Sequence, residues 1–290
     1  MDDDLLKILD DKTTTANSAL LLREGRRAFV DLDRDHPGFR DPDYRARRNA
    51  IAQIAVDYEP GAKVPHAPYS DEEHGVWATI CENLEPEHQR SACAEYVRYA
   101  RELAMPRDRI PQLEEVNARI TQISGFRLEP VGGLVHPKVF LSAMANGVFL
   151  CTQYIRHHST PSYTPEPDVV HELIGHAAQL ASPRFAALNR AFGKRATSLA
   201  DGDALTRLSR VYWYTLEFGV LSEGGELKAF GSGLLSSYGE MQAMRRAEIR
   251  PMDIEAMETT AYNPTDFQPL LFRADSFEHL ETVLGAYLAT

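Results

Sequence analysis

The residues with the most chemical promise stand in one short run, Pro167-Asp168-Val169-Val170-His171-Glu172-Leu173-Ile174-Gly175-His176. Two histidines lie five positions apart, with a glutamate directly after the first. A further carboxylate, Glu217, stands 41 positions beyond His176 and could complete a metal site. Two neutral imidazoles and one carboxylate on one face of a metal leave the other face open, as in non-haem Fe(II) sites that use O2. The obvious competitor is a zinc hydrolase, in which His-Glu-x-x-His places ligands at i and i+4 of one helix face with Glu as base. Here the i+4 position is Gly175. At about 100° per residue, a regular helix would point His171 and His176 roughly 140° apart. Shared ligation therefore needs a helix end or a local distortion, which Gly175 would permit. On spacing alone, two ordinary histidines, one buried and hydrogen-bonded and the other exposed, are the favoured account of the run.

The elements that must position these residues are mostly helical. Asp41-Pro42 offers an N-cap followed by Pro at the first helical position, and Tyr44, Ile51, Ile54, Ala55 and Tyr58 form a stripe behind it. Ser70 with Glu73 reads as a capping box for a helix burying Trp77, Ile80, Cys81 and Leu84. Pro86 is expected to open another helix through Cys93, Tyr96 and Leu103, and Pro111 a third through Val116 and Ile120. Residues 125–134 read as extended. Pro137 opens a helix carrying Phe140, residues 156–167 form a loop, and Asp168 caps the histidine segment. Helices are expected from Pro183, over 204–218, from Gly233 onward and over 277–288, with a shorter one at 19–30. Gly224-Gly225 marks a hairpin, and 264–269 a loop. No repeat or shift in composition marks a domain boundary.

Composition narrows the classes. The 290 residues are 43% hydrophobic and 25% charged, enough for a substantial core. A net charge of −11 argues against general nucleic-acid binding, which needs a basic footprint. Three cysteines, Cys81, Cys93 and Cys151, suit a reducing compartment. No signal-peptide pattern or apolar run of 18 residues is present. The expectation is a cytoplasmic protein with no membrane partner.

Several longer motifs occur in order. Cys151-Thr152-Gln153-Tyr154-Ile155-Arg156-His157 runs on to Tyr163-Thr164-Pro165-Glu166-Pro167-Asp168 and the His-Glu segment. Trp213-Tyr214-Thr215-Leu216-Glu217-Phe218-Gly219 and Gly231-Ser232-Gly233-Leu234-Leu235-Ser236-Ser237 follow. From about Asp35-His36-Pro37-Gly38-Phe39 to Phe267-Gln268-Pro269-Leu270, the chain resembles the pterin-dependent aromatic amino acid hydroxylases. The resemblance implies a mainly α fold, a single compact catalytic domain with a few short strands over 35–290, after a partly flexible N-terminal extension at 1–34. It implies Fe(II) and tetrahydrobiopterin, or a related tetrahydropterin, as cofactors. Free aromatic amino acid and O2 are the implied substrates. The family's animal members add a regulatory domain and a coiled-coil tail, for which this chain has no room, so a monomer is expected.

By resemblance, His171, His176 and Glu217 are the iron ligands, and Ser236, placed among the substrate residues, supports His171. Phe140 stacks on the pterin, Glu172 lies near both pterin and metal, and Tyr212 and the backbone at Gly133-Leu134 line the same site. Arg156 binds the amino acid's carboxylate, oriented by Asp168, with Thr164 adding a hydrogen bond. Pro167, Trp213, Phe218 and Gly233 surround the substrate ring. Two departures stand out. Leu150 replaces a His common before the Cys-Thr-Gln-Tyr motif of the phenylalanine members, and Ala177-Ala178-Gln179 replaces Val-Pro-Leu, placing a polar group near the pocket wall. Trp213, together with Pro264 where tyrosine hydroxylases carry Asp, implies phenylalanine as substrate and para hydroxylation. The alternatives are meta hydroxylation, or tyrosine or tryptophan as substrate. From other classes, a non-catalytic aromatic amino acid-binding protein and the zinc hydrolase remain.

Overall fold

The computed structural model describes residues 36–289 apart from 163, 165 and 265, together with 32 and 34. Nearly all of the expected extension at 1–34, including the helix at 19–30, lies outside the described residues. The remainder is mainly helical with short strands, as the sequence implies. Among the described residues, no helix is long and apolar enough to cross a membrane.

Local signals set most helix starts. Asp41 Oδ1 accepts the backbone N–H groups of Asp43 and Tyr44 at the head of α1 (Pro42–Val56). Ser70 and Glu73 form the reciprocal capping box of α2 (Asp71–Ser91). That helix does not end at Pro86, contrary to expectation; it runs on to Ser91, and α3 (Ala94–Leu103) begins afterwards. Pro86 and Glu82, whose carbonyl loses its partner, both lie on the exposed face of the helix, so the loss is not buried in the core. Leu84 and Glu87, buried on the other face, carry the helix through.

The helix α4 (Leu113–Ser124) leads into β1 (Arg127–Pro130), which pairs in parallel with β2 (Val148–Cys151). Between them lies α5 (Pro137–Met144), the carrier of Phe140. After the histidine segment come α6 (Pro183–Ser198) and α7 (Asp203–Tyr212). The hairpin of β3 (Val220–Glu223) and β4 (Glu226–Ala229) turns at Gly224-Gly225, as the glycine pair implies. The short helices α8 (Ser232–Leu235) and α9 (Tyr238–Ala243) follow. Sequence periodicity missed β5 (Glu248–Pro251), α10 (Ile254–Thr259) and β6 (Leu270–Ala274). The strand order is β4-β3-β6-β5, so β5, with its two charges and a proline, is an edge strand that resists further pairing. The last helix is α11 (Phe277–Leu288).

The core runs through Trp77, Tyr96, Phe149, Leu173, Phe185, Phe192 and Leu216. The histidine segment crosses it, with Leu173 fully buried and the Ile174 carbonyl accepting the Tyr96 hydroxyl at 2.7 Å.

Candidate metal centre

Two stretches of π-helix build the site. Residues His171–Ala177 form the first, where the Ala178 N–H reaches back five residues to the Leu173 carbonyl. Trp213–Glu217 forms the second, with the Phe218 N–H on the Trp213 carbonyl at 2.8 Å. An i→i+5 ladder stacks residues five apart over one another. His171 and His176 therefore share a face that a regular helix would deny them. The second stretch turns Glu217 toward them from the end of α7. Gly175 permits close approach: a Cβ there would stand 2.7 Å from the Ser232 carbonyl oxygen.

Ligand atoms of His171, His176 and Glu217 all lie within 4.8 Å of one another. His176 Nε2 is 2.9 Å from Glu217 Oε1 and 3.1 Å from His171 Nε2; His171 Nε2 is 3.6 Å from Glu217 Oε2. Ligands bound at about 2.0–2.2 Å and at right angles lie about 3 Å apart, so one first-row divalent ion fits among them. The donor set fits as well. Ser236 gives its hydroxyl proton to the Ser232 carbonyl at 2.7 Å, so its oxygen accepts the His171 Nδ1–H at 3.0 Å. That fixes the tautomer and aims the Nε2 lone pair into the cluster. His176 Nδ1 is buried with no partner among the described residues. Burial and the neighbouring His176 push the His171 pKa down to about 4. Burial alone would raise Glu217, but His176 beside it brings the pKa to about 2. Neutral imidazole and ionised carboxylate are the metal-binding forms.

A second group, Asp41, His157 and His158, comes equally close together. There His157 Nδ1 accepts the Ser159 N–H at 3.2 Å, which leaves the proton on Nε2 facing Asp41 Oδ2 at 3.3 Å. This is a hydrogen-bond network around a helix cap, with no His157 lone pair aimed at a metal.

The expected substrate residues gather on one side. Arg156 is buried and donates from Nε and Nη2 to the two Asp168 oxygens at 2.9 and 2.7 Å. The same Asp168 Oδ1 accepts the His171 backbone N–H at 3.1 Å. Arg156 is thereby tied to a histidine of the cluster through one carboxylate, and its Nη1 donates to the Pro161 carbonyl at 3.3 Å. Thr164 Oγ1 is buried without a partner among the described residues. Pro167, half-buried, gives its carbonyl to the Thr152 hydroxyl at 3.4 Å. Phe218 covers Gly233, where a Cβ would meet its ring at 2.4 Å. Trp213 is tilted against Phe218 with ring centroids 4.5 Å apart, and stacks on Tyr262 at 4.0 Å.

The expected pterin residues divide. Phe140 is half-buried, 6.4 Å from the His176 ring. Glu172 Oε1 accepts the Thr152 N–H and hydroxyl at 3.1 and 2.9 Å, and burial raises the Glu172 pKa to about 7. Gly133 is buried, whereas Leu134 is 49% exposed. Tyr212 supports Phe140 edge-on from within the core at 5.9 Å, and its hydroxyl donates to Asn189 at 3.1 Å. Leu150, at the first departure, lies in an apolar cluster with Val131, Val139 and Val148. Gln179 is not at a pocket wall. It is fully buried and donates to the Leu216 and Phe230 carbonyls at 3.0 and 2.8 Å, bracing the backbone beside Glu217. Sequence reasoning also passed over Ser232, Thr152, Tyr262 and Gln268. Ser232, Thr152 and Gln268 stand inside the recognised motifs, but neither type nor spacing marks them as touching the site.

Gln268 braces the aromatic wall. Its Oε1 accepts the Trp213 indole N–H at 3.0 Å, its Nε2 donates to the Asn263 and Asp266 carbonyls, and its backbone N–H reaches Glu240 at 3.2 Å. Burial, opposed by that last bond, raises the Glu240 pKa from 4.5 to about 7. A carboxyl whose folded pKa is raised favours folding below its unfolded pKa, and that contribution is lost as pH rises through the folded pKa. Charging buried Glu240 therefore costs roughly 3 kcal/mol by pH 8. Glu240→Gln keeps an acceptor without the charge. Thermal denaturation should show a higher Tm than wild type at pH 8 and almost none of that gain at pH 4. Equal shifts at both values would contradict the assignment.

A helical domain that gathers two histidines and a carboxylate on one face beside a buried arginine fork defines a class of open-faced metal enzymes. Residues 23–290 match the family model for biopterin-dependent aromatic amino acid hydroxylases. The phenylalanine 3-hydroxylase of Streptomyces coeruleorubidus is 42% identical over 255 residues, 88% of this chain and 91% of that one. Human phenylalanine-4-hydroxylase is 40% identical over 267 residues, covering 90% of this chain but 59% of the human protein. Among solved structures, the phenylalanine hydroxylase of Chromobacterium violaceum with bound Fe(III) and 7,8-dihydrobiopterin aligns with TM-score 0.75 at 29% identity, over 90% of this chain and 94% of that one. The chain belongs to the biopterin-dependent aromatic amino acid hydroxylase family. The zinc hydrolase alternative falls away with that membership.

Proposed function

We propose that this protein is a monooxygenase that hydroxylates the ring of free L-phenylalanine, forming tyrosine, with Fe(II), a tetrahydropterin and O2. The observation that carries the reading is the bridge through Asp168, which joins the Arg156 guanidinium to the backbone of His171. An amino acid held by its carboxylate at Arg156 is thereby set at a fixed position relative to the metal face.

His171, His176 and Glu217 would hold the iron, with Ser236 fixing the His171 tautomer. Phe140 would stack on the pterin with Gly133, Leu134 and Glu172 around it, and Tyr212 behind Phe140. When bound, Fe(II) and tetrahydropterin supply the O2 activation, one oxygen atom entering the ring and the other leaving on the pterin. The protein's work is orientation and exclusion of water. Arg156 and Thr164 bind the substrate carboxylate, and Pro167, Trp213, Phe218 and Gly233 enclose the ring. That wall offers an apolar ring a better fit than a phenol, whose buried hydroxyl costs roughly 1–3 kcal/mol when unpaired.

A second reading is hydroxylation at the meta carbon. The Streptomyces phenylalanine 3-hydroxylase favours it, since the match spans 91% of that protein. Aerobic incubation with Fe(II), tetrahydrobiopterin and phenylalanine, tyrosine or tryptophan, with products separated by position isomer, tests both. Tyrosine as product supports the first reading and meta-tyrosine the second. Pterin oxidation indifferent to added amino acid would defeat both, leaving a binding protein on this scaffold.

Trp213 should set substrate size. Its indole is pinned between Gln268 and Tyr262 and cannot swing aside. Trp213→Phe is expected to raise the ratio of kcat/KM for tryptophan over phenylalanine by about tenfold, the scale of modest changes in an apolar pocket. Wild-type preference for tryptophan in side-by-side kinetics would overturn the choice of phenylalanine.

A further inference from the structure

Ser232 touches two members of the histidine–carboxylate cluster directly and braces the partner of the third. Its Oγ lies 2.9 Å from Glu217 Oε2, 3.1 Å from His176 Nε2 and 3.0 Å from the Leu216 carbonyl. Its backbone carbonyl accepts the Ser236 hydroxyl at 2.7 Å, and Ser236 accepts the His171 Nδ1–H. One residue thus touches two of the cluster's members through its hydroxyl and is linked to the third, His171, through Ser236. Ser232 is fully buried, so water does not compete for these bonds. The arrangement depends on the bare Gly175 backbone packed against the Ser232 carbonyl.

A hydroxyl has a single proton to give. Of the three acceptors, the Glu217 carboxylate is the nearest and the only anion, and a charge-assisted bond is roughly twice as strong as a neutral one. The proton therefore goes to Oε2. Oε1, facing His176 Nε2 at 2.9 Å, is the oxygen left for a metal.

We propose that Ser232 is a positioning residue of the metal centre, holding Glu217 to ligation through one oxygen and so keeping the opposite face open. This rests on reading His171, His176 and Glu217 as the metal ligands. The full chain carrying Ser232→Ala or Ser232→Thr tests it. Two quantities are read: Fe(II) affinity by chelator competition, and the electronic spectrum of Co(II)-loaded protein, whose d–d bands weaken as coordination number rises. Ser232→Ala should bind Fe(II) about 10- to 100-fold more weakly, the scale of losing an outer partner. Its Co(II) bands should weaken as the freed Oε2 joins the metal, and Ser232→Thr, which keeps the hydroxyl, should restore both. An alanine variant with an unchanged Co(II) spectrum overturns the proposal, whatever its affinity. So does a threonine variant with wild-type apoprotein Tm but the alanine spectrum. Wild-type protein that binds neither ion would defeat the reading of the site itself, a result distinct from wild-type binding with an unaltered alanine variant.

Discussion

Glu217→Gln is expected to strip the protein of Fe(II) and abolish hydroxylation. The substitution keeps size and shape, and its amide oxygen can still accept the Ser232 hydroxyl proton. It removes the charge. Glu217 is held ionised far below neutral pH, with His176 at 2.9 Å, so the cluster is built around that anion. A neutral amide either turns its NH2 toward His176 Nε2 or offers a weak carbonyl ligand. The fall in activity should exceed the 10- to 100-fold typical of losing an outer partner. Chelator competition for Fe(II), run beside a product assay, checks both parts. Wild-type activity in this variant would exclude Glu217 from the metal. His171→Ala and His176→Ala should match its effect, since among the described residues the cluster holds no spare ligand.

The next largest effect is expected at Arg156. Arg156→Lys keeps a positive charge near Asp168 but loses the fork. The planar guanidinium meets both Asp168 oxygens and still turns its Nη1 side outward beside the Pro161 carbonyl, and a lysine ammonium cannot serve both sides at once. A hydrogen bond to a charged group is worth roughly 1.5–3 kcal/mol, so the KM for the amino acid should rise by about 10- to 100-fold. The KM for the pterin should change far less. If the pterin constant suffers more, Arg156 faces the wrong ligand. Arg156→Met asks a separate question, because it leaves buried Asp168 unpaired. That variant should lose roughly 3–5 kcal/mol of stability as well as substrate affinity.

Much of this site was legible from residue types and order. The ligand candidates, the arginine with its acidic partner, and the aromatic wall all came from motifs that survive in one dimension. Helix starts were legible where a side chain caps its own backbone, as at Asp41, Ser70 and Asp168. Such bonds span two or three residues, so the chain carries their geometry locally. Pro86 shows the limit of that rule. A proline that would open a helix in isolation was absorbed into α2 because packing on both sides of it was already committed.

The sequence by itself determined the family, the mainly α class and the chemical kind of nearly every group around the metal. It could not place His171 and His176 on one face, because local periodicity puts them far apart around a regular helix. Tertiary packing decided that point. The histidine run threads a core where Ser232 presses against Gly175 and Tyr96 holds the Ile174 carbonyl, and there the backbone takes the π register. The same packing decided that Tyr212 turns its hydroxyl to Asn189, and that Gln179 braces backbone carbonyls away from the pocket wall. It also made Ser232 a shared partner of His176 and Glu217, joined to His171 through Ser236. Each of these contacts joins residues between 15 and 78 positions apart, except the Ser232–Ser236 bond within a single helical turn. A side chain's partners at such separations are set by how the helices cross, and no spacing along the chain encodes that crossing.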